Sequence, residues 1–118
     1  MPLVSYRELE VWKQSVDLVV DTYRLTRTLP PDERFGLVTQ MRRAAVSIPS
    51  NIAEGYGRGT RGEYRNQLSV ARGSACELET LTLLTERLAF VDAPSTEPIL
   101  RAANDVQRML TRLRARLV

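Results

Sequence analysis

Apolar residues recur every three or four positions along four stretches of this chain, and a break containing proline or glycine separates each stretch from the next. At about 100° per residue, this spacing places the apolar positions on one side of a helix. In the first stretch Leu9, Trp12, Val16, Val19, Val20 and Tyr23 define a buried face, with Trp12 as an anchor among aliphatic neighbours. Ser5 and Glu8 form an S-x-x-E capping box, which predicts a helix start at Tyr6 or shortly after. That helix ends before Pro30-Pro31, because proline disfavours helical geometry in the residue that precedes it.

The stretch Leu37 to Arg58, LVTQMRRAAVSIPSNIAEGYGR, organises the rest. Leu37, Met41, Ala44, Ala45, Ile48, Ile52 and Tyr56 share one apolar face. Gln40, Arg43, Ser47, Asn51 and Glu54, spaced 3, 4, 4 and 3, form a second stripe, roughly 120° away around the helix. A surface helix needs only the first stripe, so the second predicts another protein surface or a ligand against this helix. Pro49 lacks an N–H and its ring crowds the carbonyl of Ala45. One helix kinked at Pro49 is the reading, with two helices meeting there as the alternative. Pro31 opens the segment, with Asp32 and Glu33 near its positive pole. Gly36 then falls inside the helix, at a cost of about 1 kcal/mol relative to alanine, which close approach of a neighbouring helix would explain. Gly55, Gly57 and Gly59 end it.

Thr60 and Glu63 form a second capping box, T-x-x-E, for a third helix. Tyr64, Leu68, Ala71, Ala75, Leu78 and Thr82 lie in a narrow stripe that Val70, Ser74, Leu81, Leu84 and Leu88 broaden to one side. This width exceeds what a simple bundle core requires. Ala71, Gly73, Ser74, Ala75 and Cys76 make the middle of the helix thin, and Cys76 reads as a small packing residue. After the break at Asp92-Ala93-Pro94-Ser95, Ser95 or Thr96 caps a fourth helix. Its apolar face is Ile99, Ala102, Ala103, Val106, Met109, Leu110, Leu113 and Leu117. Four helical segments with no strand pattern predict an all-α fold, an antiparallel up-down four-helix bundle with helix 2 kinked at Pro49, and residues 1–118 as one domain.

Composition narrows the chemistry. The chain contains no histidine, one cysteine and one lysine (Lys13) against sixteen arginines. This removes Ser-His-Asp and Cys-His catalysis, histidine-ligated zinc and a dithiol pair. A non-enzyme with no catalytic residue, cofactor or metal is expected. The Gly55–Gly59 run lacks the lysine and hydroxyl of a phosphate loop and follows a helix. No apolar run approaches the ~20 residues of a membrane span, and no secretory pattern is visible, so the expected location is cytoplasmic, without a membrane partner.

The net charge is +3, unevenly spread. Residues 42–72 hold six arginines against Glu54 and Glu63, and residues 101–118 hold five against Asp105. Such clusters attract phosphate backbones, or else form ordinary solvated faces and complement a helix dipole. Arg58, Arg61 and Arg65 are the candidate nucleic-acid contacts.

Three motifs carry a resemblance. E-R-F-G-L (Glu33 to Leu37), Q-M-R-R-A-A-V-S-I-P-S-N-I-A-E-G-Y-G-R (Gln40 to Arg58) and A-R-G-S-A-C-E-L-E (Ala71 to Glu79), with L-E-V-W (Leu9 to Trp12) upstream, resemble the four-helix-bundle family of 23S rRNA intervening-sequence proteins. The likeness covers roughly residues 6 to 90. It implies homo-oligomeric rings, typically of five bundles around a central channel. It also implies a link to nucleic acid, since members are encoded within intervening sequences of ribosomal RNA genes and a related bundle is the accessory protein of a diversity-generating retroelement's reverse transcriptase.

Two functions are expected in consequence. The first is an assembly or adaptor scaffold, with Gln40, Arg43, Ser47, Asn51 and Glu54 of helix 2 and Ser74 and Glu77 of helix 3 as its polar stripe. Arg43 is expected to meet Glu77 across a helix or subunit interface, shielded from water, and Asn51 to satisfy a backbone group freed at Pro49. The alternative is a sequence-tolerant accessory protein that binds RNA or DNA.

Overall fold

The computed structural model describes residues 5–117. They form α1 (Glu10–Thr26), α2 (Leu37–Arg58), α3 (Arg61–Arg87) and α4 (Ala93–Ala115), with single 3-10 turns at Tyr6–Glu8 and Pro31–Glu33 and no strand among the described residues. Each helix packs on its two chain or cyclic neighbours: α1 on α2, α2 on α3, α3 on α4 and α4 on α1. The backbones of the diagonal pairs, α1 with α3 and α2 with α4, are not adjacent, which is the arrangement of a four-helix bundle. It measures 46 × 24 × 20 Å.

The start of α1 differs from expectation. Ser5 accepts a hydrogen bond from the Arg7 N–H (3.2 Å), but this caps a separate 3-10 turn. Leu9 then takes an extended conformation (φ −70°, ψ 126°), so the helix begins at Glu10. The buried face is also rotated, to Val11, Ser15, Leu18, Thr22, Leu25 and Thr26. Leu9, Trp12, Val16, Val19 and Tyr23 are half-buried, and Val20 is exposed. Three hydroxyls explain the rotation. Ser15 donates to the Trp12 carbonyl, Thr22 to Leu18 and Thr26 to Thr22, each at 2.8 Å. A hydroxyl satisfied by its own helix can be buried without a stranded polar group.

The entry to α2 also departs from the periodic reading. Gly36 is the cap residue before α2 and lies outside it. A Cβ there would sit 2.9 Å from Glu33 Oε1, the oxygen that accepts the Leu37 N–H (3.2 Å). The missing side chain makes room for that capping carboxylate, and no neighbouring helix is involved. From Leu37 the helix runs unbroken through Pro49, with Leu37, Met41, Ala44, Ala45, Ile48 and Ile52 buried as the pattern requires and Tyr56 half-buried. Gly55 and Gly57 lie within the helix. Gly59, in the left-handed region (φ 89°), ends it.

Thr60 caps α3 by accepting the Glu63 N–H (3.2 Å), as its capping box requires. For α4 the cap is Asp92, whose carboxylate accepts the Ser95 N–H (3.0 Å), three residues before the expected position. The hydrogen bonds from Ser95 hold the Asp92 carboxyl below its ordinary range. Thr96 lies inside the helix, buried, and its hydroxyl donates to the Glu86 carboxylate of α3.

Candidate functional site

The polar stripe of α2 touches α3 at its middle, at Ser47 opposite Ser74. Ser47 Oγ and Ser74 Oγ share a hydrogen bond of 2.7 Å. Asn51 donates its amide to the Ser47 carbonyl (2.7 Å) and hydroxyl (2.9 Å). The group that Asn51 satisfies is thus Ser47, and the carbonyl that lacks a donor because of Pro49 is that of Ala45. Further along, Gly55 brings the helices into close register: a Cβ on it would lie 2.7 Å from Gln67 Cβ and 3.2 Å from Tyr64 Cδ1.

The expected shielded pair is not formed within the chain. Arg43 and Glu77 are both exposed and flank, with Gln40, Ala44, Ser47 and Ser74, one hollow of about 260 Å3. The ion pairs among the described residues are Arg24–Asp21, Arg58–Glu54, Arg101–Glu97 and Arg108–Asp105, and Arg43–Glu77 is not among them. Glu54 therefore finds its partner one turn along its own helix, in Arg58. A helical wheel places two side chains on facing sides but leaves open whether they reach each other across a groove.

Beside this stripe, α3 carries a second apolar row. Val70, Ser74, Glu77, Leu81, Leu84 and Leu88 follow at spacings of 4, 3, 4, 3 and 4, the repeat of a helix that packs along a partner helix. Leu81 is buried within the bundle, but Val70 (45% exposed), Leu84 (41%) and Leu88 (53%) are not. Phe35, just before α2, is 85% exposed with the Arg34 guanidinium 5.2 Å from its ring centre. Because Ser47 lies opposite Ser74 and Gly55 opposite Gln67, the antiparallel register places Phe35 at the same end of the bundle as Leu84 and Leu88.

The three candidate arginines differ in their surroundings. Arg58 is engaged with Glu54, whose hydrogen bond and charge raise the guanidinium pKa. Arg61 is exposed at the first position of α3. Arg65 is half-buried, its Nε has no partner, and its carbonyl accepts from Arg114 Nε of α4 (3.3 Å). Cys76 is exposed and donates to Gln107 Oε1 of α4 (3.3 Å), so it is a surface group and not a core filler.

Two features escape the periodic reading. At one end, Trp12, Tyr6, Tyr56 and Tyr64, in that order, form a chain of edge-to-face contacts with centroid distances of 5.4, 6.4 and 6.0 Å. Trp12 thus packs against an aromatic ring as well as the aliphatic core, and burial with Tyr56 nearby pushes the Tyr64 pKa up. Between α1 and α2, Arg42 donates to Thr26 Oγ1 (2.9 Å) and lies over Tyr23, 4.4 Å from its centroid. Among the described residues no group of three or more His, Cys, Asp or Glu could hold a metal ion. No helix there is long and apolar enough to cross a membrane.

The fold and its two-stripe central helix define a class of small, all-helical four-helix-bundle proteins. Within that class, the chain belongs to the 23S rRNA-intervening sequence protein family, whose family model matches residues 7–112. In structure it is similar to a protein of unknown function from the S23 ribosomal protein family of Bacteroides thetaiotaomicron, with a TM-score of 0.82 and 24% identity over 88% of this chain and 97% of that one. That likeness supports the bundle fold. No curated protein matches the chain.

Proposed function

We propose that this protein is a non-enzymatic assembly module, in which copies of the chain associate through the α2–α3 face into a ring and serve as an adaptor scaffold. The observation that carries this reading is the apolar row of α3 left uncovered by its own bundle, at Val70, Leu84 and Leu88. Charge supports a second copy as its occupant. The same face displays Arg43 and Glu77, neither of which has an ion-pair partner among the described residues, so a neighbouring copy supplies the opposite charge for each. A contact in which this face meets a different face of the next copy generates a ring where the rotation closes, and the family resemblance implies five members.

A double-mutant cycle tests the charge contribution. Once a second copy excludes water, Arg43→Ala and Glu77→Ala should each weaken assembly by roughly 3–5 kcal/mol, and the double variant by less than their sum. Small, additive losses of at most about 1 kcal/mol, with the assembly intact, would return both side chains to solvent.

A second reading, sequence-tolerant binding of RNA or DNA, is favoured by Arg61, Arg65 and Arg72. Spaced four and seven apart, they share one side of α3, and Arg65 Nε is unsatisfied. Binding to generic RNA and DNA should fall steeply with salt, and Arg61→Ala with Arg65→Ala should flatten the log–log slope by about 1–2. Arg58→Ala should change it less, since that guanidinium is held by Glu54. Absence of binding at low salt would dismiss this reading.

A further inference from the structure

We propose that the open hollow between α3 and α4 is a binding site for a phosphate group, built from Arg72, Arg108 and Arg112. It encloses about 320 Å3 and is lined by Arg72 of α3 and by Asn104, Gln107, Arg108, Thr111 and Arg112 of α4. The α4 residues recur at three- and four-residue spacing and so share one side of that helix. No carboxylate lines the hollow. Arg108 has Asp105 at 3.3 Å, whereas Arg72 and Arg112 have no acidic partner among the described residues.

Three guanidinium groups around one hollow repel one another, and a bound anion removes that repulsion. The wall between them is also built for an acceptor. Asn104 supplies an amide, while the Thr111 hydroxyl already donates to the Gln107 backbone carbonyl (3.0 Å). The Gln107 carbonyl oxygen is taken by the Cys76 thiol, while its buried Nε2 has no hydrogen-bond partner. Phosphate is the favoured oxyanion. It carries more charge and more acceptor oxygens than a carboxylate, and the flat donor fork of arginine matches it two oxygens at a time. The volume lies at the low end of the ~300–1,000 Å3 found for small-ligand sites, and the open mouth admits a phosphate that is esterified. The site lies away from the proposed self-assembly face and shares only Arg72 with the arginine row of the second reading.

Calorimetric titration of the full chain with inorganic pyrophosphate, at low ionic strength and against matched chloride, tests this. Saturable binding is expected. Arg72→Gln with Arg112→Gln should weaken it about tenfold or more, since each charged hydrogen bond contributes on that scale. Arg27→Gln with Arg34→Gln, which removes the same charge from the opposite end of the bundle, should leave it within about twofold. Arg108→Gln gives the same direction if the first double variant melts early. Displacement by a nucleoside 5′-diphosphate but not by a short oligoribonucleotide would assign the hollow to small phosphorylated ligands, and displacement by the oligoribonucleotide to a phosphodiester strand. Displacement by neither would assign it to the free anion, and all three results uphold the site. No saturable binding, equal weakening by both double variants, or undiminished binding by the Arg72/Arg112 variant would overturn it.

Discussion

Gly55→Ala should destabilise the protein, while Gly73→Ala should stabilise it, although both glycines lie inside helices. Alanine in place of a helical glycine is worth up to about 1 kcal/mol from propensity and from the unfolded chain's lost freedom. At Gly73 that gain is unopposed, because an added Cβ meets nothing within 4 Å. At Gly55 the new carbon would lie 2.7 Å from Gln67 Cβ. Neither atom is the end of a flexible side chain, so α2 and α3 would have to move apart along their serine-lined contact. Such overpacking costs about 1–3 kcal/mol, which leaves a net loss of up to about 2 kcal/mol after the propensity gain. Urea unfolding of the two variants measures the contrast. Stabilisation by both would mean that Gly55 does not set the spacing of these helices.

The helices themselves were legible because a period near 3.6 residues survives in all four stretches, and the capping box at Thr60 states its boundary outright. The misplaced boundaries share a cause. At Ser5, Gly36 and Asp92 the chain makes a local turn with its own hydrogen bonds before committing to a helix, and a periodic pattern does not separate a turn from a helix's first residues. The face of α1 was misjudged because Ser15, Thr22 and Thr26 read as polar, yet bond to their own helix and are buried.

The candidate faces divide in the same way. The α2 stripe was visible in the spacing of Gln40, Arg43, Ser47, Asn51 and Glu54, and two small hydroxyls, Ser47 and Ser74, do meet. The partners of the long side chains were not legible. Glu54 has Arg58 within reach on its own helix, and Arg43 with Glu77 depends on the width of a groove. Arg72 and Arg112, forty positions apart in sequence, come together only through the register of α3 against α4.

The largest expected effect is on assembly. Leu84→Glu with Leu88→Glu should release single bundles while leaving each bundle folded. Both side chains are already about half exposed in the single chain, so the core loses little. In an assembly, covering the exposed half of each leucine contributes about 0.7–1.5 kcal/mol, and a glutamate buried in its place adds a desolvation penalty beyond that loss. The change is repeated at every contact of a ring. Unchanged helical content with a fall to single-chain mass is the expected pair of results.

Light scattering on the unaltered chain at micromolar concentration tests the assembly most directly. A mass several times 13.4 kDa, with five copies expected, would support assembly of copies of the chain. A mass of 13.4 kDa would contradict it.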